Sequence, residues 1–213
     1  MVRRYDEVSQ GSRGPTRLEQ QLANGPDEKA VVTPVDAFNL ARRKFLKRQR
    51  VDMVELAAEL GVGRATLYRW VGSRDQLLGE ILWSVTDEGI QQARQRAKGK
   101  GVDWVMAIFE GWGYGIPTFE PLQHFVRTEP ETALRVMTTK ASPHQGRVVQ
   151  AFTEILEEAV ANKGLKLKLE PHTLAFVMIR IGESFLWTDL VTGEEPDLNT
   201  SAEVVRVLLS AQA

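Results

Sequence analysis

The 213 residues include no cysteine. This excludes disulfide staples, thiolate metal sites, iron–sulfur clusters and thiol catalysis, and it suits a reducing interior. Histidine is scarce too: there are three, scattered so that no HExxH forms. A GxSxG elbow, a P-loop and a dinucleotide fingerprint are also missing, which leaves an enzyme on a helical scaffold as the weaker reading. No uncharged run approaches the roughly 18 residues of a membrane-spanning helix. The opening "MVRRYDEVSQGSRG" is polar, unlike a secretory leader. A cytoplasmic protein is expected, with no catalytic residues, no metal, no cofactor and no membrane contact.

Net charge is small, −1, but unevenly spread. Lys and Arg outnumber Asp and Glu between Pro34 and Leu78, residues 1–33 balance, and the remainder is acidic. A compact basic segment joined to a larger acidic one is the electrostatic footprint of a protein that meets a polyanion at one end. The hydrophobic share, 43%, is enough for a substantial core.

Periodicity predicts an all-α protein of about nine or ten helices, with no convincing alternating strand. Residues 1–32 are expected to form a mobile arm, with a weak helix over Thr16–Ala23. In "TPVDAFNLARRKFLKRQR" Thr33 is an N-cap and Pro34 a first helical residue. Val35, Phe38, Leu40, Ala41 and Phe45 mark its apolar face. Asp52 caps "MVELAAEL", which stops at Gly61; a second short helix starts at Arg64. Ser73 caps a long helix that ends near Lys98. Further helices are expected over about 102–112, 119–127, 129–139, 143–162, 171–191 and 201–211, with prolines near their starts and Gly164 and Gly193 after two of their ends. The domains read as 1–32 arm, 33–78 head and 79–213 body.

The two short helices have the spacing of a helix-turn-helix. Ala57 is the small residue at the crossing and Gly61 the turn glycine, while Leu56, Leu60, Val62, Leu67 and Trp70 take the apolar places. With Leu67 inward, steps of about 100° put Ala65 and Arg69 on the outer face, Thr66 and Tyr68 on its flanks and Arg64 at the entrance. That order suits the major groove of double-stranded DNA. Arg64 matches a guanine edge, Ala65 a thymine methyl, and the hydroxyls and flanking cations match phosphates.

The stretch "LAAELGVGRATLYRWVGSRDQLL" resembles the tetracycline-repressor (TetR) family, and the family's N-terminal three-helix DNA-binding domain would cover this region. The resemblance implies that Arg64, Ala65 and Tyr68 face bases and that Thr66, Tyr68 and Arg74 hold phosphates. It also implies a helical effector-binding and dimerising body. Three departures stand out. The loop before "MVELA" is about two residues short for the family, so Arg50 would reach the backbone from another angle. Gly63 replaces the usual Ser or Thr cap, and Trp70 replaces a phosphate-binding Tyr or His and is read as a packed indole that keeps a marginal N–H contact to DNA. The wording "RATLYRWVGSRDQLLGEILW" is similar to the QsdR-type subgroup, which is associated with lactone-degrading, quorum-quenching pathways.

So short a recognition helix discriminates poorly alone, and a homodimer is expected on DNA. In the 143–162 helix Val148, Val149, Phe152, Ile155, Leu156, Ala159 and Val160 are read as covering more than one face. "LAFVMIRIGESFLW" is apolar almost all round. These two helices would form a four-helix bundle across a two-fold axis, the alternative for the second being a central core helix.

"WVMAIFEGWGYGIPTFEPLQHFVRTEP" concentrates aromatics beside glycines that are read as interrupting a helix. That combination suits a pocket for a small, mostly apolar effector. Its candidate lining is Phe109, Trp112, Tyr114, His124, Phe125, Arg127, Arg180, Glu183 and Trp187. For His124 and Trp187 a plain core role is equally open, and Arg180 and Glu183, spaced i and i+3, are equally suited to pairing with each other. The sequence thus reads as a one-component transcriptional regulator, with repressor preferred over ligand-responsive activator.

Overall fold

The computed structural model describes residues 32–212, so the expected arm and its Thr16–Ala23 helix lie outside the described residues apart from Val32. The described chain is helical, without strands. Its elements are α1 Pro34–Leu46, α2 Met53–Leu60, α3 Arg64–Val71, α4 Arg74–Arg96, α5 Gly101–Gly113, α6 Glu120–Thr128, α7 Pro130–Thr138, α8 His144–Asn162, α9 Pro171–Leu186, α10 Thr188–Val191 and α11 Leu198–Ser210.

The helix starts follow local chemistry. Thr33 and Asp36 form a reciprocal capping box on α1, as do Ser73 and Gln76 on α4. Asp52 accepts from the Val54 and Glu55 amides at 2.7 and 3.1 Å. Helix α1 stops at Leu46. Arg48 takes φ 60°, so that its own amide and that of Gln49 turn back onto the Phe45 and Lys44 carbonyls. This is the left-handed C-terminal cap usually given to glycine.

Three expectations need correction. The buried stripe of α1 is Ala37, Ala41 and Phe45, while Val35 is exposed, because the helix rests on α3 and α4 through its small residues. Gly111 lies inside α5 rather than breaking it; a Cβ there would sit 3.4 Å from Ala93, so the glycine sets the close approach of α5 to α4. The expected 171–191 helix divides at Trp187. The hydroxyls of Ser184, Thr188 and Thr192 bond back to carbonyls four residues earlier, which loosens the helix where the indole turns into the core.

Two apolar clusters hold the chain. One joins α4, α5, α8, α9 and α11 through residues such as Phe109, Phe152 and Met178. The other surrounds Phe45, Leu56 and Leu67 in the helix-turn-helix head, and it also takes in Leu122, Phe125, Val136 and Met137 from α6 and α7 and the Trp187 indole. Helix α4 packs on α1 and α3 at its start and on α5, α7 and α8 farther along. A rigid 23-residue rod therefore runs from the head into the body.

Candidate functional site

In the head, Gly61 ends α2 at φ 67°, with the amides of Gly61 and Val62 returning to the Ala58 and Ala57 carbonyls. This left-handed cap turns the chain sharply into α3, as a helix-turn-helix requires. Gly63 starts α3 without a side-chain cap. Leu67 is fully buried against Leu56 and Ala57, and Trp70 is half-buried against the same cluster. The opposite face presents Arg64, Ala65, Tyr68 and Arg69 to solvent, with Thr66 beside them. Among the described residues neither Arg64 nor Arg69 has a carboxylate partner. An unneutralised cationic helix face with a small residue at its centre can approach a phosphate-lined groove closely.

Arg74 is placed differently from what the resemblance implies. Its Nε donates to the Val51 carbonyl at 2.6 Å, and its two terminal nitrogens grip both Glu129 oxygens at 2.7 Å. Both side chains are largely buried, 21% and 19% exposed. The guanidinium thus ties α4 and the α1–α2 loop to the α6–α7 junction. Arg50 stays 71% exposed, with its Nε 4.0 Å from the same Glu129, and it remains available to an outside anion.

In the body, α4 to α9 and α11 line a narrow apolar cavity of about 80 Å³. Of the residues expected to line a pocket, Phe109, Trp112, Tyr114, Glu183 and Trp187 line this one. Gly182 lets α9 approach the Phe109 ring; a Cβ there would be 3.3 Å from it. The other four expected residues lie elsewhere. His124 and Phe125 border a depression beside Arg48 and Arg74, and Phe125 meets Phe45 edge-on at 5.8 Å inside the head's core. Arg127 is exposed on α6. Arg180 is exposed outside the lining and donates to Glu183 at 2.6 Å.

The cavity's electrostatics favour neutral groups. Burial pushes the Glu183 carboxyl up to about 7 despite the Arg180 guanidinium beside it. Burial, aided by the Arg147 charge, lowers the His144 imidazole to about 4, so that it stays neutral. Its Nε2 lies 3.1 Å from the Thr86 hydroxyl. Leu82, Thr86, Leu122, Met137, His144 and Ser201 all line the cavity and were not anticipated. They are spread over five helices, with only Leu82 and Thr86 sharing one, and no local pattern unites them.

Comparison with known proteins places these observations. A model of the tetracyclin repressor-like C-terminal domain matches residues 100–210. A search of curated proteins gives no match. Among solved structures, the R. erythropolis transcriptional repressor QsdR of the TetR family superposes with a TM-score of 0.79 at 29% identity, over 84% of this chain and 95% of its own. AlkX from Dietzia sp. strain DQ12-45-1b, a TetR family repressor implicated in biodegradation of n-alkanes, gives 0.58 at 22% identity, over 85% and 97%. At that identity AlkX is similar in fold alone.

Proposed function

The chain belongs to the tetracycline-repressor-like family, a DNA-binding transcriptional regulator by descent, and on that premise we propose that it is a one-component repressor. In this reading a small, mostly apolar effector enters the body's cavity and releases the head from a near-palindromic operator. Arg64, Ala65 and Tyr68 read base edges, Thr66 and Arg69 take phosphates, and Arg50 adds a backbone contact from the preceding loop.

One observation carries the switch. Leu82, Leu122, Met137 and Trp187 line the cavity and also belong to the apolar cluster that holds the recognition helix. A ligand that moves those walls strains the packing under Leu67, because a close-packed core transmits displacement rather than absorbing it. Ligand and operator then bind to different arrangements of one core, which is the condition for coupling.

A homodimer is part of the same reading, since operator palindromes mirror protein two-fold symmetry, with half-sites about one helical turn apart or a multiple. The α8 face is not where the sequence suggests. Val148, Val149, Phe152, Ile155, Leu156 and Ala159 are all buried in the chain's own core, and only Val160 of that set is exposed. Exposed apolar side chains remain on α9, where Phe176 is 47% exposed with Val177 and Ile181 half-buried nearby, and on α11, where Val204 and Val207 are 41% and 70% exposed.

The effector class proposed is a lactone-type molecule, supported by an apolar cavity whose lining residues include no Lys or Arg. The test is a footprint on the DNA flanking the chain's own gene, with calorimetry on a panel of γ-lactones and acyl-homoserine lactones. A symmetric footprint that weakens as a lactone binds is expected. Absence of any protected site would overturn the regulator reading, and release by anionic compounds alone would overturn the effector class.

A further inference from the structure

Four polar side chains around the cavity are already engaged, whereas no hydrogen bond is made by the indole N–H of Trp112 or Trp187 among the described residues. Thr86 and His144 pair with each other. Glu183 accepts from Arg180, and Glu110 accepts from Arg206 at 3.3 Å. Tyr114 is 43% exposed. Ser201 is different. It is 1% exposed, lines the cavity from α11, and its Oγ has no hydrogen-bond partner among the described residues.

Nothing in the helix accounts for that hydroxyl. Asp197 performs the capping of α11, accepting from the Thr200 amide at 3.0 Å and its hydroxyl at 2.7 Å. Ser201 shares the buried face with Ala202, Val205 and Leu209, where an alanine would pack as well. A buried hydroxyl left unpaired destabilises the fold, so its presence asks for a partner that arrives from the cavity.

The rest of the lining restricts what that partner is. Two carboxylates and no Lys or Arg among the lining residues make the site hostile to anions. Glu183 already accepts from Arg180, and Glu110 shares Arg206 with Asp103, which weakens the pull on a cation. We propose that Ser201 Oγ is the donor that anchors the effector, and that the effector is a neutral molecule with a carbonyl oxygen, such as a ketone, ester or lactone, on an otherwise apolar frame. This rests on the reading of the cavity as the effector site and narrows it to one atom.

The experiment is a tryptophan-fluorescence titration of the full chain with eight-carbon probes: 2-octanone, γ-octalactone, octane, octanoate and octylamine. Melting and operator release are followed in parallel. The two carbonyl compounds are expected to bind best. Ser201→Ala should weaken them by about 2- to 12-fold, the range of one hydrogen bond, and leave octane unchanged. The same variant should melt no lower than the parent without ligand, which separates loss of an anchor from loss of fold. The wild-type ratio of octanone to octane gives the same information without any substitution. If octane and octanone bind alike, or Ser201→Ala weakens them equally while operator release persists, the anchor is wrong and the effector site stands. Preference for octanoate or octylamine overturns the neutral carbonyl class. If no probe binds and none releases operator, this proposal falls. Trp112→Ala then decides the broader reading with the acyl-homoserine lactones, which were not among these probes; that reading falls as well if none of them releases operator from the parent, or if the variant responds to them as the parent does.

Discussion

At the scale of single residues, the two kinds of arginine in the head separate by experiment. Arg64→Ala should lose about 1–3 kcal/mol of discrimination between operator and unrelated DNA, the worth of a bidentate base contact, in competition binding assays. Arg69→Ala should weaken both alike and make the salt dependence shallower by about one counterion. Arg74→Ala should instead leave the salt slope unchanged and lower stability to urea by about 1–3 kcal/mol, because Glu129 would lose its partner in a half-dry setting. In the cavity, two groups give opposing pH dependences. The folded chain holds the Glu183 proton up to about 7 against an ordinary 4.5, so it binds more protons than the unfolded chain in that window and loses stability as pH rises through it. His144, lowered to about 4 from 6.5, does the reverse: stability rises with pH across that span. Each slope amounts to roughly 3 kcal/mol over its window and they largely cancel below pH 6.5. Thermal melts of Glu183→Gln from pH 4 to 8 should therefore expose the His144 rise alone, and a flat profile would contradict these assignments.

At the scale of helices, α8 and α9 behave differently under the same kind of substitution. Ala159 is fully buried, so Ala159→Glu should unfold the body, whereas Phe176→Glu on the α9 surface should give a folded monomer by sedimentation and circular dichroism. A Phe176→Glu dimer would put the interface elsewhere. The contrast shows what could be read from the sequence. Thr33, Asp52, Ser73 and Gly61 were legible because capping is decided within four residues of chain. The end of α1 was not, since an arginine takes the left-handed position that glycine normally marks. Outer faces were misjudged at Val35 and along α8, where apolar spacing alone does not say which neighbour covers which side. The cavity's aromatic wall was visible in the sequence: Phe109, Trp112 and Tyr114 in one cluster, and Trp187 on the later apolar helix. Thr86, His144 and Ser201 were hidden because only tertiary packing brings them together.

At the scale of the whole molecule, head and cavity share one stretch of packed core, and the effect of a ligand on melting should show it. A compound that binds only the folded chain at 100 times its dissociation constant should raise stability by about 2.7 kcal/mol. Because Leu122, Phe125, Val136 and Met137 join Phe45 and Leu67 in one cluster, head and body should melt in a single calorimetric transition both with and without that compound. Two resolved transitions would mean the cluster is weaker than its burial suggests. The same cluster bears on modular engineering. A hybrid regulator made by cutting after Leu78 and grafting the head onto a foreign sensor would strip Phe125 from the Phe45 ring and leave Arg74 without Glu129. The transplantable cassette is therefore discontinuous: residues 33–82 have to travel with 116–138 and with Trp187, although some 33 residues, many of them in the other core, separate the first two segments.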